Sequence, residues 1–420
     1  MSHRHAQHAL ALSMGFAVLS VCAQTGNVKA PQAQAWIDVA TFSGMGMPVG
    51  GAGGMGGPGA SPMSALGGLF GGPGAGARNN SFGQTQSAAA GRWVDVTLST
   101  RSNPSLAEAQ LAAPAGFMSP ALKLQAPRDA KAPATESDEL PEPTYEKPKG
   151  RLTLYWGCGA TVRAGQPKVL DLASAPAADL ASFFAARRAT QRGAHSAPGR
   201  PVWPQPTDPR MVPDGASLVG THAFSGSGVP EGFRFQIAAA QDLMPPLQIQ
   251  QSEQAGATEL RWNSLPTARA YFAAGIGAAR QDEMVIWTSS ELPETGFGLV
   301  DYQTNAAVDR WLREKVLLAP ATTQCTVPKG VFPGEGAMLR VIAYGNELNL
   351  AHPPRPTDPK AVWEPVWAVK LRVKAMANLM LGMPSMETVP AAAAAGTEPS
   401  SESVGKKPAA LDLLKGILGR

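Results

Sequence analysis

The chain has 420 residues, room for two or three domains, and its 44% hydrophobic content is enough for a sizeable core. Only 16% of residues are charged while Gly (45) and Pro (38) are abundant, which disfavours a helix-rich cytosolic enzyme and favours short strands joined by turns. A net charge of +4, with no basic stripe interleaved with aromatics, argues against nucleic acid as a partner.

At the N-terminus, Arg4 and neighbouring histidines lead into an apolar run that ends at Val21-Cys22-Ala23-Gln24. Small residues stand where a signal peptidase reads, so 1–23 is predicted to be a secretory signal peptide, and the protein periplasmic or secreted. The run is short for a membrane span. Leu19-Ser20-Val21-Cys22 also resembles a lipoprotein box, with Val21 where a smaller residue is usual, so lipidation at Cys22 is the alternative. Cleavage leaves Cys158 and Cys325, which in an oxidising compartment either form a disulfide or stand as two buried thiols. No CxxC spacing supports a zinc ribbon or a redox motif.

Residues 24–90 comprise one predicted strand around Trp36-Ile37-Asp38-Val39 and a Gly/Met-rich insert. So little apolar surface can be buried by the insert that it is predicted to be disordered. Gly51-Ala52-Gly53-Gly54-Met55-Gly56 matches the letters of a dinucleotide-binding loop, but no strand leads in and no helix leads out. Trp93-Val94-Asp95-Val96 then repeats the first strand's pattern. The two copies predict either a hairpin with a very long loop or two copies of a small unit; four matching positions do not define a repeat architecture.

Residues 91–245 are predicted to form an irregular β domain. Within it the Pro- and Ala-rich stretch 101–149 reads as linker or loosely packed surface. Leu152, Leu154 and Trp156 share a strand face by the two-residue period. A helix is expected over 178–190, then a Pro-rich segment over 198–213, and strands flank the turn Ser225-Gly226-Ser227-Gly228.

Residues 246–375 form the second predicted domain. Strands are expected around Leu247, over 258–262, 271–276, 283–287, 322–327, 338–344 and 366–374, with a helix over 305–315 capped by Thr304 or Asn305. In the last strand Trp367, Val369, Leu371 and Val373 point one way, and Lys370, Arg372 and Lys374 the other. Trp262, Pro266, Ala268 and Tyr271, then Val327-Pro328 and Phe332, then Leu339-Arg340-Val341-Ile342-Ala343, resemble a fibronectin type III module. The resemblance implies a seven-stranded sandwich and carries no activity. Ala337 stands where such modules usually have tyrosine, and the 304–315 helix is foreign to them. Tyr155-Trp156-Gly157-Cys158-Gly159 and Ala351-His352-Pro353-Pro354-Arg355-Pro356 also resemble a family of secreted proteobacterial proteins with no assigned activity. Residues 376–420 are predicted to be a flexible tail. Leu411, Leu414 and Leu418 share one face of a short helix there, which would gain order only against a partner, a membrane surface or the protein itself.

Sites for chemistry are sparse. Ser225 or Ser227 with nearby His222 would serve a hydrolase, although no G-x-S-x-G occurs. His195, His222 and His352 are far apart in sequence for a zinc site. Glu291, Glu294 and Asp301 are acids with no separation fixed by the sequence. Met45, Met47, Met55 and Met63 in the insert, and Met376, Met380, Met383 and Met386 after the last strand, are candidate thioether ligands for Cu(I). Trp203 and Trp363, both among prolines, are candidates for an exposed aromatic platform for a peptide or glycan.

The sequence therefore predicts a mainly β protein of two sandwich-like domains, the second fibronectin type III-like with an inserted helix. It predicts no cofactor. The leading expectation is an exported envelope protein that binds or scaffolds an envelope protein or glycan without catalysis. The alternatives are soft-metal binding through the methionines and a cryptic hydrolase.

Overall fold

The structure, a computed structural model, describes residues 28–44, 79–86, 89–127, 150–185, 187, 193–280, 283–333, 337–358 and 360–382. The predicted signal peptide, Cys22, the insert methionines Met45, Met47, Met55 and Met63, then Met383, Met386 and the C-terminal amphipathic stretch lie outside those residues.

In chain order the described strands are β1 (Ala33–Gly44), β2 (Gly91–Thr100), β3 (Glu108–Ala112), β4 (Ala121–Gln125), β5 (Arg151–Trp156), β6 (Lys168–Asp171), β7 (Val202–Trp203), β8 (Gly220–Gly226), β9 (Arg234–Ile237), β10 (Ile249–Gln254), β11 (Ala257–Trp262), β12 (Ala270–Arg280), β13 (Glu283–Thr288), β14 (Gln324–Val327), β15 (Met338–Tyr344), β16 (Leu348–His352) and β17 (Trp367–Met380). Two helices accompany them, α1 (Ala177–Phe183) and α2 (Asn305–Arg313). The chain is mainly β and sandwich-like. A large mixed sheet runs β6-β5-β13-β12-β15-β17-β1-β2-β7-β4-β3-β8-β9, with β16 also on β17, and a smaller sheet runs β10-β11-β14.

β17 is the axis of the large sheet. β1 pairs with it in parallel, from Ala33 opposite Trp367 to Gly44 opposite Asn378, while β15 and β16 take its other edge antiparallel. β2 pairs antiparallel with β1. Of the two readings of the repeated Trp-(Ile/Val)-Asp-Val pattern, the hairpin is the one that forms. Reversed chain direction then sets Ala40 opposite Trp93 and Asp38 directly opposite Asp95.

The strand period of two gives this sheet two different faces. One carries Ala35, Ile37 and Val39 of β1, Val94, Val96 and Leu98 of β2, and Val369, Leu371 and Val373 of β17. It packs with Leu260, Trp262, Cys325 and Val327 of the small sheet in one apolar core. At the corner between sheets the Tyr271 hydroxyl accepts from the Leu265 amide at 3.0 Å, and its ring meets Trp262 at 5.6 Å. The opposite face holds a second core of Phe42, Trp93, Phe272, Ile342 and Tyr344, covered by Val308 and Trp311 of α2. The Thr304 hydroxyl caps α2 by accepting from Ala307 N at 3.3 Å.

Several expectations change. Strands from both sides of the 245/246 boundary are hydrogen-bonded into one sheet, for β13 runs parallel to β5 with Ile286 opposite Leu154. The 101–149 stretch, read as linker, contributes β3 and β4, whose Leu111, Leu122 and Leu124 join the first core with Leu106. Its Pro and Ala content had hidden the buried leucines. The helix expected over 178–190 is the seven-residue α1, which buries none of its residues. The strand expected before the Ser225–Gly228 turn begins at Gly220 and runs into that turn as far as Gly226.

Candidate functional site

Lys370, Arg372 and Lys374 share the second face of β17, and that face is not solvent. Arg372 and Lys374 are buried, and each of the three cations meets a carboxylate from a different part of the chain. Arg372 donates from Nε and Nη2 to Oδ1 and Oδ2 of Asp38 at 2.7 and 2.6 Å. Lys374 Nζ donates to Asp301 Oδ1 at 2.9 Å. Lys370 Nζ lies 2.5 Å from Glu347 Oε1, at the buried turn that follows β15. The ring of Tyr302, next to Asp301, lies against both inner cations, 4.3 Å from Arg372 and 4.2 Å from Lys374. Cations over an aromatic face are attracted by its quadrupole, so this ring helps seat both.

Taking two charges out of water costs several kcal/mol per ion, and a good pair roughly offsets this. The gain is in specificity. Asp38 and Arg372 are paired Cα partners in the β1–β17 register. A slip of one residue between the two strands would turn one member of the pair to the apolar face and leave the other without its partner.

Asp95 is the surplus carboxylate. It lies across the β1–β2 pair from Asp38, whose oxygens are already taken by Arg372 and by the Ala194 amide at 2.9 Å. Three donors from 79–86 close on Asp95 instead: Gly83 N at 2.9 Å to Oδ1, then Thr85 N at 3.2 Å and the Thr85 hydroxyl to Oδ2. Burial pushes its pKa up from 3.8 to about 7, with the nearby Asp38 charge adding to the rise and the Thr85 and Gly83 bonds opposing it.

Burial would raise Asp301, but Lys374 and Arg372 outweigh it and hold the carboxyl below the ordinary range. Burial draws Lys374 down despite Asp301. For Arg372 burial acts downwards, but Asp38 more than compensates and the group is raised. Tyr302 is pushed well above its ordinary value by burial and by Asp38, and its buried hydroxyl has no hydrogen-bond partner among the described residues.

Gly193 closes the row from above. A Cβ there would stand 2.0 Å from Arg372 Nη2 and 2.7 Å from Asp38 Oδ2, so only glycine lets the backbone pass over the ion pair.

Apart from Asp301, the candidate site residues singled out in the sequence lie elsewhere. Cys158, after β5, and Cys325, in β14, form a disulfide with Cα atoms 5.2 Å apart, tying the large sheet to the small one. Trp203 is wholly buried, which corrects its place in an exposed platform: its ring packs edge-on to Phe117 at 6.0 Å and its Nε1 donates to Asp208. The prolines around it form a close-fitting bend. Trp363 is half-buried, with Arg355 over its ring and Nε1 donating to Pro353 O. Met376 is buried in the second core beside Phe42 and Ile342, and Met380 ends β17 as an opposite number of Met338. His222 is fully buried, bonded through Nε2 to Leu218 O at 2.8 Å and stacked on Phe235, while Ser225 and Ser227 are exposed. Glu294 is buried against Arg187 at 2.6 Å, and exposed Glu291 lies 3.5 Å from Lys315. His195 bonds Arg200, and His352 stacks on Trp367. Among the described residues no group of three or more His, Cys, Asp or Glu is placed to hold a metal ion, and no helix is long and apolar enough to cross a membrane.

Asp38, Asp95 and Tyr302 were not anticipated, and Asp301 stood only among three acids with no fixed separation. A signal existed for two of them: each copy of Trp-(Ile/Val)-Asp-Val sets an acid between β-branched neighbours, and the alternating cations of β17 are its complement. Comparison with family models, curated proteins and solved structures finds no match to the chain.

Proposed function

We propose that this is an exported cell-envelope protein that binds or scaffolds a partner through its surface shape and has no catalytic group of its own. The observation that carries the reading is where the reactive side chains go. Asp38, Asp301, Glu294 and Glu347 are committed to cations inside the fold, and His222 is committed to a backbone carbonyl within the core. The Cys158–Cys325 disulfide favours an oxidising compartment, in keeping with the apolar run before Ala23. Residues 246–375 are read as a fibronectin type III-like module. In support, the first, second and fifth strands of that stretch (β10, β11, β14) form one sheet, and the fourth, third, sixth and last (β13, β12, β15, β17) lie side by side in the other.

Fractionation of cells making the full-length chain tests export. The expected product is an envelope species cut after Ala23 whose thiols resist alkylation until reduced; a full-length, reduced cytosolic chain overturns the reading. Turnover of generic ester or glycoside substrates by the purified protein overturns its non-catalytic part.

A further inference from the structure

We propose that Asp95 is a proton-operated latch that holds the segment 79–86 down on the large sheet, closing in acid and easing open as the medium turns alkaline. The geometry is that of a clasp. The segment belongs to the connection between β1 and β2, and it grips the sheet through three donors that converge on the one Asp95 carboxyl. A second hold, Asn80 on Pro209 O and Arg210 O, lies near its start and contains no titrating group.

The groups around Asp95 decide the sign. From β1 it faces Asp38, a like charge whose neutralising partner is Arg372 on β17. From the loop before α2 it faces Tyr302, with Asp301 and Lys374 paired beyond. From 193–195 the His195 carbonyl accepts from Thr97, the next residue of β2 on that face, at 3.4 Å. Among the described residues no cation is bonded to the Asp95 carboxyl, and its charge in the closed form is opposed by burial and by Asp38. Opening 79–86 gives the carboxyl back to water, where it ionises in the ordinary range. The closed form therefore holds the proton more tightly, and protons favour closure by linkage. The hydrogen bonds allow it: a protonated Oδ2 donates to the Thr85 hydroxyl, which accepts, while Oδ1 still accepts from Gly83.

Closure is thus most favoured below the ordinary carboxylate value of 3.8, weakens as pH rises towards about 7 and is constant above. The Gly83 and Thr85 amides are its direct reporters. Hydrogen exchange on the full chain, corrected for the intrinsic pH dependence of exchange, is expected to show their protection falling about tenfold or more between mildly acid and mildly alkaline buffer. Asp95→Asn keeps the shape and cannot ionise, so its protection should stay flat with pH. Thr85→Val removes the hydroxyl, whose bond opposes the rise at Asp95; its Gly83 amide should be less protected overall and should keep a pH dependence at least as large as the wild type's. Protection in the wild type that does not change with pH overturns the proposal, as does the same pH dependence in Asp95→Asn. If Asp95→Asn does not fold, the wild-type profile and Thr85→Val decide it: with both flat, the latch is absent.

Discussion

Asp38 and Arg372 lie 334 residues apart in sequence and form a two-pronged ion pair between the neighbouring strands β1 and β17, with almost no solvent on either. Around this pair the middle of the large sheet is held in register, and its energetics set the first prediction. Asp38→Ala leaves the Arg372 guanidinium buried without its partner and should cost about 3–5 kcal/mol in urea unfolding. The double variant Asp38→Leu with Arg372→Met removes both charges and should recover much of that loss. A double variant no more stable than Asp38→Ala would show that packing, not the uncompensated charge, governs the site.

Gly193→Ala should destabilise although glycine has no conformational need there. The added methyl would overlap Arg372 Nη2 and Asp38 Oδ2, and both side chains are buried. The expected loss is about 1–3 kcal/mol, the usual range for overpacking. Unchanged thermal stability would mean that the backbone at 193 can lift away without disturbing the pair.

The disulfide gives the third. It closes a loop of 167 residues and ties β14 to the chain after β5. Replacing both cysteines by serine should cost about 2–5 kcal/mol, mainly through a less restricted unfolded chain. Thermal unfolding with and without reductant checks it; equal midpoints would leave the two sheets joined by packing alone.

Stability should depend on pH in two opposed ways. Asp95 is raised in the fold, so its contribution is complete below 3.8 and is lost as pH rises through about 7. Asp301 is lowered, so its contribution is present above the ordinary carboxylate range and lost as pH falls below it. The wild type should be most stable in mild acid and lose about 1–4 kcal/mol towards mildly alkaline pH. Asp95→Asn should abolish that alkaline decline and leave the acid limb intact. A decline preserved in the variant would assign it to another group.

Much of the scaffold was visible in the amino-acid pattern. The strand 338–344 coincides with β15, and the others of the second half are found within a few residues, because alternation of apolar and polar residues is a local signal. Thr304 was visible as a cap for the same reason. The charged row was not. Lys370, Arg372 and Lys374 alternate as an exposed face would, and only the arrival of Asp38, Asp301 and Glu347 from distant positions makes that face an interior. Trp203 misled in the reverse sense, since prolines beside an aromatic suggest a surface loop until Phe117 and Asp208 enclose it. Pairings across hundreds of residues leave no trace in periodicity.

β1 has its seat between β2 and β17, and β17 is made only after every other strand described. A chain emerging from the ribosome, or through a translocation pore, therefore waits for its latest segment before the centre of the sheet can close. Such long-range pairing is slow to form. Until then Asp38 has no guanidinium to meet and the early strands have an unfinished edge. Delay of this kind keeps a polypeptide threadable, and leaves its first hairpin in need of protection while it waits.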